Sequence, residues 1–265
     1  MQRIKQAGRK ISAIDAKTSS TTVPETDTDS TKTRPRSAEM SAGPGFRIRT
    51  RINRLPRDVW EAFGEYETAD ISDMMNRLYT FDPRIRNVSN DLPLVGPALC
   101  VKVFPGDNLM VHKALDLAKP GDVMVIDTSN SGQNAVIGDL VSNKARHRGI
   151  AGFIVDGLVR DLDGIRETGM PVYARGVTAF GPLHRGPGEI NYPISCGGVV
   201  VHPGDIVAAD RSGIVVIPMG YARELLVRLE AHKAALAEYV ENVKRGIFDN
   251  SWVDHQLEED SCLID

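Results

Sequence analysis

The sequence has few cysteines and no pattern that would bind them to a metal or to one another. Its three cysteines, Cys100, Cys196 and Cys262, are widely spaced, and none belongs to a CxxC motif or to a Cys/His ligand pattern. This argues against a disulfide framework and against a structural zinc site. Cys100 and Cys196 lie in apolar or glycine-rich contexts, so we expect both to be buried in a protein of a reduced, cytoplasmic compartment.

Long apolar runs and a strong charge of one sign are also missing. No apolar stretch approaches the roughly 20 residues that a membrane-spanning helix needs, so no membrane association is expected. The 265 residues include 32 basic and 35 acidic side chains, for a net charge of -3. Because basic and acidic residues are interspersed, the charge pattern does not favour nucleic acid as a partner.

The composition predicts three segments. Residues 1–44 are polar and rich in serine and threonine, and they cannot bury enough apolar surface to offset the entropy lost on ordering, so we expect a disordered tail. Residues 45–246 contain enough apolar residues for one sizeable domain of the α/β class. Residues 247–265 are expected to be a peripheral or intersubunit tail.

Hydrophobic periodicity predicts a mixed sheet with helices on both sides and one long C-terminal helix. The predicted helices span residues 56–66, 71–78, 110–118, 140–147 and 221–246. The predicted strands span residues 98–103, 122–126, 151–155, 172–174, 194–201, 206–208 and 214–217.

Asp139 and the pair Arg160-Asp161 are separated by 20 residues that predict one helix followed by one strand. Residues 122–126 and 151–155 are the two strands of this predicted βαβ unit. The helix of such a unit starts at the edge where both parallel strands end, and the crossover returns the chain to that edge. We therefore expect Asp139 to lie close to the Arg160-Asp161 pair.

Two carboxylates, one guanidinium and a helix N-terminus suit an anionic substrate and a divalent metal. The amides of Leu140 and Val141 could bind a carboxylate, because the first N–H groups of a helix have no partner within it. Arg160 adds a planar bidentate donor. Asp161 could bind Mg²⁺ or Mn²⁺, and Asp139 could hold a metal-bound water. A surface ion pair and a simple helix cap are the alternative explanations of the same spacing.

Several motifs together are specific for one family. They are Gly138-Asp139-Leu140, the Asp-x20-Arg-Asp spacing, and the runs at residues 96–98, 105–108, 152–161, 169–173, 194–199 and 209–213. With these motifs the chain resembles the RraA-like family, the group of divalent-metal 4-hydroxy-4-methyl-2-oxoglutarate / 4-carboxy-4-hydroxy-2-oxoadipate aldolases and their relatives. The resemblance covers roughly residues 65–245.

The resemblance implies a class II aldolase that cleaves a small 4-hydroxy-2-oxo acid and releases pyruvate, with oxaloacetate decarboxylation as a side activity. It implies that Asp161 binds the metal, directly or through its water shell, and that Asp139 orients a metal-bound water. Arg160 then stabilises the developing enolate. The residues that it assigns to substrate binding are Gly138, Asp139, Leu140, Val141 and Arg160.

The family fold implied by this resemblance is an α/β/α sandwich similar to the swivelling phosphohistidine domain. It is expected to assemble into homotrimers or homohexamers with sites between subunits. A catalytic glutamate would then come from the C-terminal helix of a neighbouring subunit, and Glu238 or Glu241 could match it. The run at residues 186–193 departs from typical aldolases of the family and is expected to be an inserted loop.

Two other functions compete with the lyase. The chain could be a non-catalytic regulator of the RraA type that docks on a ribonuclease or on another protein. It could also be a phosphohistidine carrier, but none of its six histidines has a convincing acceptor context, so each is expected to be structural or solvated. A methyltransferase is disfavoured, because no glycine-rich turn follows the first strand.

Overall fold

The computed structural model describes residues 39–263. Residues 1–38 and 264–265, and with them most of the predicted disordered tail at 1–44, lie outside the described residues. From Met40 onwards the described residues belong to one compact unit.

The described residues form twelve strands and seven α-helices. The strands are Phe46–Ile48 (β1), Arg86–Asn87 (β2), Leu94–Val103 (β3), Val123–Asp127 (β4), Ala135–Ile137 (β5), Gly152–Val159 (β6), Val172–Val177 (β7), Gly188–Ile190 (β8), Ile194–Cys196 (β9), Val199–Val201 (β10), Ile206–Ala209 (β11) and Ile214–Ile217 (β12). The helices are Arg57–Glu61 (α1), Thr68–Met74 (α2), Leu109–Leu117 (α3), Asp139–His147 (α4), Leu162–Thr168 (α5), Ala222–Lys244 (α6) and Ser251–Glu259 (α7).

One mixed sheet organises the fold, with its main strands in the order β1-β8-β3-β4-β6-β7-β2. Strands β3, β4, β6 and β7 are parallel to one another and form its centre. Strand β11 pairs with the first half of β3 and with β12, so that β11 and β12 extend the sheet beside the start of β3. The short strand β5 runs parallel to the end of β6. The carboxyl ends of β5 and β6 therefore lie side by side.

Helices cover both sides of this sheet, as the sequence predicts. On one face, α3, α4 and α5 pack against the central strands through a buried cluster that includes Val111, Ala145 and Ile165. On the other face, the β9–β10 hairpin and strands β11 and β12 bury Cys100 and Cys196. Helices α1, α2 and α6 pack on the outer side of β11 and β12. None of the helices between residues 39 and 263 has the length and apolarity that a bilayer crossing demands.

Strands β1 and β2 and helix α5 were not predicted, and residues 194–201 form two strands instead of one. Three further segments differ from the sequence expectation. Strand β5 was not predicted, since its three residues are too few for a periodicity. The supposed loop at residues 186–193 contributes β8, which pairs with β1 on one side and with β3 on the other. The C-terminal tail contains helix α7. In the first two cases the partner is distant in sequence, so local patterns carry little information about the pairing.

A buried ion-pair network joins three elements on the face opposite α4. The Arg175 side chain, on β7, donates to Asp156 on β6 and, at 2.9 Å, to Asp82. The second oxygen of Asp156 accepts the Gly197 N–H at 2.7 Å. Hydrogen bonds from Arg84 and then from Arg175 hold the pKa of Asp82 well below its ordinary value. The network ties the chain around Asp82 and the β9–β10 turn to the central sheet.

Replacing Arg175 with Met should destabilise the fold by about 3–5 kcal/mol, the usual effect of removing one partner from a buried ion pair. The side chains of Arg175 and Asp156 are only 15% and 9% exposed, so water cannot solvate the carboxylate that is left. Urea unfolding followed by circular dichroism measures the difference. Arg84→Met is the matched control, because Arg84 pairs with Asp82 but is 75% exposed. Equal, small losses in both variants would contradict this prediction.

Candidate active site

Gly138 links β5 to α4 and permits a close approach between two parts of the chain. Its backbone is extended, so conformational freedom is not what requires glycine here. A Cβ atom at this position would collide with the Asp161 carboxylate and would lie 3.1 Å from Cγ of Arg160. The absence of a side chain at Gly138 therefore lets the Arg160-Asp161 pair lie directly against the start of α4.

Arg160 and Asp161 follow the last residue of β6. The Arg160 N–H donates to the Ile137 carbonyl at 3.1 Å, which continues the pairing of β5 with β6. Asp161 has a left-handed backbone, with φ 57° and ψ 46°, and its side chain does not cap α5. Non-glycine residues in this conformation are uncommon and cluster at functional sites. The Asp161 side chain therefore takes no part in capping α5.

The two side chains form an ion pair that remains open to solvent. Arg160 Nε lies 3.2 Å from Asp161 Oδ2, and the side chains are 42% and 43% exposed. The Arg160 guanidinium also packs against Gly181. A Cβ atom added to Gly181 would lie 2.6 Å from Nη1 of Arg160. Both groups keep hydrogen-bonding capacity for a ligand, because one contact uses little of what a guanidinium and a carboxylate can offer.

Asp139 is the first residue of α4, and its side chain has two neighbours. Oδ1 accepts the Leu140 N–H at 2.7 Å. On the other side Asp139 packs against α5, where a Cβ atom at Gly164 would be 2.6 Å from Cβ of Asp139. The Leu140 amide is thus engaged by Asp139, and a ligand would have to compete with that carboxylate for it.

These residues border one cavity of about 200 Å³. Every residue that the sequence predicts for metal or substrate binding lines it, namely Gly138, Asp139, Leu140, Val141, Arg160 and Asp161. The expected convergence of Asp139 with Arg160 and Asp161 is therefore present. The roles assigned to these residues stay predictions. The third proposed catalytic residue, Glu238, is an exposed residue of α6 and does not line the cavity of its own chain.

Part of the cavity wall consists of residues to which the sequence assigned no role in catalysis or binding. This wall contains side chains from α3 and its N-cap, from α4 and from the segment after β7, namely Asn108, His112, Lys144, Pro182 and His184. The expectation that all six histidines are structural or solvated stays a prediction, and two of them, His112 and His184, line this cavity. The Pro-Gly-Asp turn at residues 105–107, which precedes Asn108, was the only signal in the sequence for this wall.

The histidine rings lie side by side, with their centroids 5.5 Å apart in an edge-to-face arrangement. Burial, the charge of Lys144 and the neighbouring His184 all lower the pKa of His112. His112 is therefore a neutral imidazole at neutral pH. Lys144 also lines the cavity.

The donor set fits a hard cation that keeps much of its water shell. Within the described part of the chain, no group of three or more His, Cys, Asp or Glu side chains could hold a metal ion. This excludes a closed zinc cage among those residues. Asp161 offers one half-exposed carboxylate in the cavity. Mg²⁺ is commonly held by one or two carboxylates together with waters and substrate oxygens, so this arrangement is compatible with it.

Comparison with known proteins now identifies the family. A family model described as RraA-like, "Aldolase/RraA", matches residues 68–216, which is more than half of the chain. The chain belongs to the RraA-like family. Its cavity residues from Asn108 to His184 all lie inside the matched region. Strand β1 and helices α1, α6 and α7 lie outside it.

Proteins similar to this chain carry names that point to different functions. A protein of Halalkalibacterium halodurans, provisionally named a 4-hydroxy-4-methyl-2-oxoglutarate aldolase, is 40% identical over 177 residues, which are 67% of this chain and 84% of that protein. An uncharacterized protein from Pseudomonas syringae pv. tomato shares the fold, with a TM-score of 0.66, 26% identity and coverage of 73% of this chain and 92% of that one. The RNA-processing inhibitor RraA from Thermus thermophilis gives a TM-score of 0.54 and 29% identity over 58% of this chain and 93% of that one.

Proposed function

We propose that this chain is a divalent-metal-dependent lyase that cleaves a 4-hydroxy-2-oxo acid and releases pyruvate, with oxaloacetate decarboxylation as a further activity. The observation that carries the proposal is the meeting of Arg160, Asp161 and the N-terminus of α4 in one cavity. The name of the Halalkalibacterium halodurans relative supports the same reaction class.

The α4 N-terminus and Arg160 have complementary tasks in this proposal. The amides of the first turn, together with the helix dipole, bind the carboxylate of the 2-oxo acid. Arg160 donates to the 2-oxo oxygen, where negative charge develops when the carbon–carbon bond breaks and a pyruvate enolate forms. Donors that are fixed before the reaction stabilise such charge without reorganisation, and Arg160 is held by Asp161 and by its fit against Gly181.

Asp161 would hold Mg²⁺ or Mn²⁺, and Asp139 would orient a water of its shell. A bound divalent ion supplies Lewis-acid polarisation of the 2-oxo group. The Asp161 side chain does not cap α5, and only its Oδ2 is paired with Arg160, which leaves Oδ1 for this task. The Leu140 N–H now donates to Asp139. When substrate binds, this N–H would donate to the substrate carboxylate instead, or to both carboxylates.

A homotrimer or homohexamer is part of the proposal. Glu238 is exposed on α6, so it would reach a cavity only on a neighbouring subunit. Several large apolar side chains near the cavity are also exposed and would be covered in such an assembly, namely Phe104, Leu140, Phe180 and Leu183. Glu241, the other glutamate considered, forms an ion pair with Lys244 on the same helix and is less free to serve a neighbour.

The test is pyruvate release, coupled to lactate dehydrogenase. Purified protein is given oxaloacetate or 4-carboxy-4-hydroxy-2-oxoadipate with Mg²⁺ or Mn²⁺, and again with EDTA. We expect release from both substrates that EDTA abolishes and added metal restores. Asp161→Asn should require much more metal for the same rate, because the substitution removes the anionic ligand. Metal-independent release, or none from either substrate, would contradict the proposal.

The second candidate is a regulator without catalytic turnover. The likeness to RraA from Thermus thermophilis favours it, since that protein is named an RNA-processing inhibitor. This reading requires direct binding to a ribonuclease and inhibition of its cleavage. Inhibition that persists in Asp161→Asn, in a protein that releases no pyruvate, would establish it in place of the lyase.

A further inference from the structure

His184 stands in the cavity with one ring nitrogen fixed and the other uncommitted. Its Nδ1 lies 2.6 Å from Oδ1 of Asn108, the buried residue that precedes α3. The Asn108 Nδ2 donates to the Val136 carbonyl at 2.9 Å. Because a carbonyl can only accept, this second bond decides which end of the Asn108 amide faces the histidine.

The bond to Val136 therefore also fixes the histidine tautomer. An amide oxygen accepts and cannot donate, so the proton of a neutral His184 must be on Nδ1. Its Nε2 then carries a lone pair. Since the ring lines the cavity and Nδ1 is turned to Asn108, Nε2 is the nitrogen that can serve a ligand there. A second residue that sets the tautomer of a catalytic imidazole is a recurring arrangement in enzymes.

We propose that His184 is the general base of the carbon–carbon cleavage, and this inference rests on the function proposed above. Nε2 removes the proton of the C4 hydroxyl. The C4–O bond becomes a carbonyl, the C3–C4 bond breaks, and its electron pair forms the enolate of pyruvate. Nε2 then returns the same proton to C3, which yields pyruvate and the neutral imidazole. No further reactant is consumed.

The surroundings distinguish His184 from the other candidates for this role. His112, from α3, has no comparable partner that fixes its tautomer among the described residues. Arg160 is paired with Asp161. Asp139 is the remaining competitor, because a water that it orients could act as the base instead. The two assignments lead to different results when His184 is replaced.

Decarboxylation of oxaloacetate separates the removal of the hydroxyl proton from the stabilisation of the enolate. Loss of CO₂ gives the same pyruvate enolate, but no hydroxyl proton has to be removed first. Arg160 and Asp161 should therefore matter for both reactions, whereas the base should matter for aldol cleavage. A replacement of the base thus leaves an internal control in the same protein sample.

His184→Asn is the test variant, because the asparagine amide can still donate to Asn108 from nearly the position of Nδ1 but has no counterpart of Nε2. We expect kcat for cleavage of 4-carboxy-4-hydroxy-2-oxoadipate to fall by about 100-fold or more, in line with the usual contribution of general base catalysis. Oxaloacetate decarboxylation should change by less than about fivefold, an expectation that rests on the base being dispensable for enolate formation. His147→Asn, at the exposed end of α4, is the matched control.

Each outcome has one meaning. Cleavage within about threefold of wild type in His184→Asn would overturn the assignment and favour the Asp139-oriented water, since a lost base costs far more than that. Equal losses of cleavage and decarboxylation would also overturn it, because they indicate a structural role. If the wild-type protein performs neither reaction, the proposed function itself fails. Nitrogen-15 NMR of the histidine rings checks the geometry without activity, and a proton on Nε2 of neutral His184 would contradict the inference.

Discussion

Arg160→Ala should lower kcat/KM for pyruvate release by about 100- to 1,000-fold, the effect of removing one fixed donor from a developing oxyanion. Arg160 is the only arginine among the residues that line the cavity, so no neighbouring guanidinium replaces it. The effect should be larger on kcat than on KM, because the charge on the 2-oxo oxygen is greatest in the transition state. Coupled assays with both substrates measure it.

Arg160→Lys and Arg146→Ala give this prediction its controls. Lysine keeps the charge but lacks the planar, bidentate donor, so we expect only partial rescue. Arg146 is exposed near the opposite end of α4, and its loss should leave the rate close to that of wild type. Arg160 is 42% exposed, so unfolding transitions should barely change. Undiminished turnover in Arg160→Ala would contradict the placement of the reaction in this cavity.

Gly138→Ala should reduce pyruvate release by about 100-fold, because a displacement of about 1 Å in reacting groups has effects of this size. The added methyl group would collide with the Asp161 carboxylate and lie 3.1 Å from Cγ of Arg160. Either the ion pair or the first turn of α4 must move. The backbone at Gly138 is extended, so alanine introduces no conformational strain of its own.

Gly132→Ala is the matched control for that substitution. It lies in the preceding connection, between β4 and β5, and an added Cβ atom there would meet nothing within 4 Å. We expect its activity to equal that of wild type. Gly164→Ala, which would press on Asp139 at 2.6 Å, should resemble Gly138→Ala instead. If all three alanine variants kept full activity, the close approach of the two chain segments would have no functional meaning.

The central βαβ unit could be predicted from sequence because its signals are local. The apolar runs of β4 and β6 and the periodicity of α4 place Asp139 and Arg160 at one edge of the sheet by chain geometry alone. The insertion of β5 before α4 escaped prediction, yet it strengthens the convergence, since the Ile137 carbonyl accepts the Arg160 N–H. The convergence of Asp139 with Arg160 could be predicted without β5, because it depends only on where β4 and β6 end.

The part of the cavity wall that contains His112 and His184 could not be predicted in the same way. His112 and His184 are 72 residues apart, and what brings them together is the packing of the segment after β7 onto the turn before α3. Within that turn the Leu183 N–H donates to the Gly106 carbonyl at 2.8 Å, and the Asn108 N–H donates to the Leu183 carbonyl at 3.0 Å. Such irregular backbone pairing leaves no periodic pattern in the sequence. The sequence around each histidine therefore did not indicate that the two side chains meet.

The most direct test is a crystal structure of the protein with Mn²⁺ and pyruvate, with the metal located by its anomalous scattering. We expect one manganese peak beside the Asp161 carboxylate. Pyruvate should lie with its carboxylate at the first turn of α4 and its 2-oxo oxygen towards Arg160. Manganese bound elsewhere, or pyruvate absent from this cavity at saturating concentration, would contradict the assignment of the site.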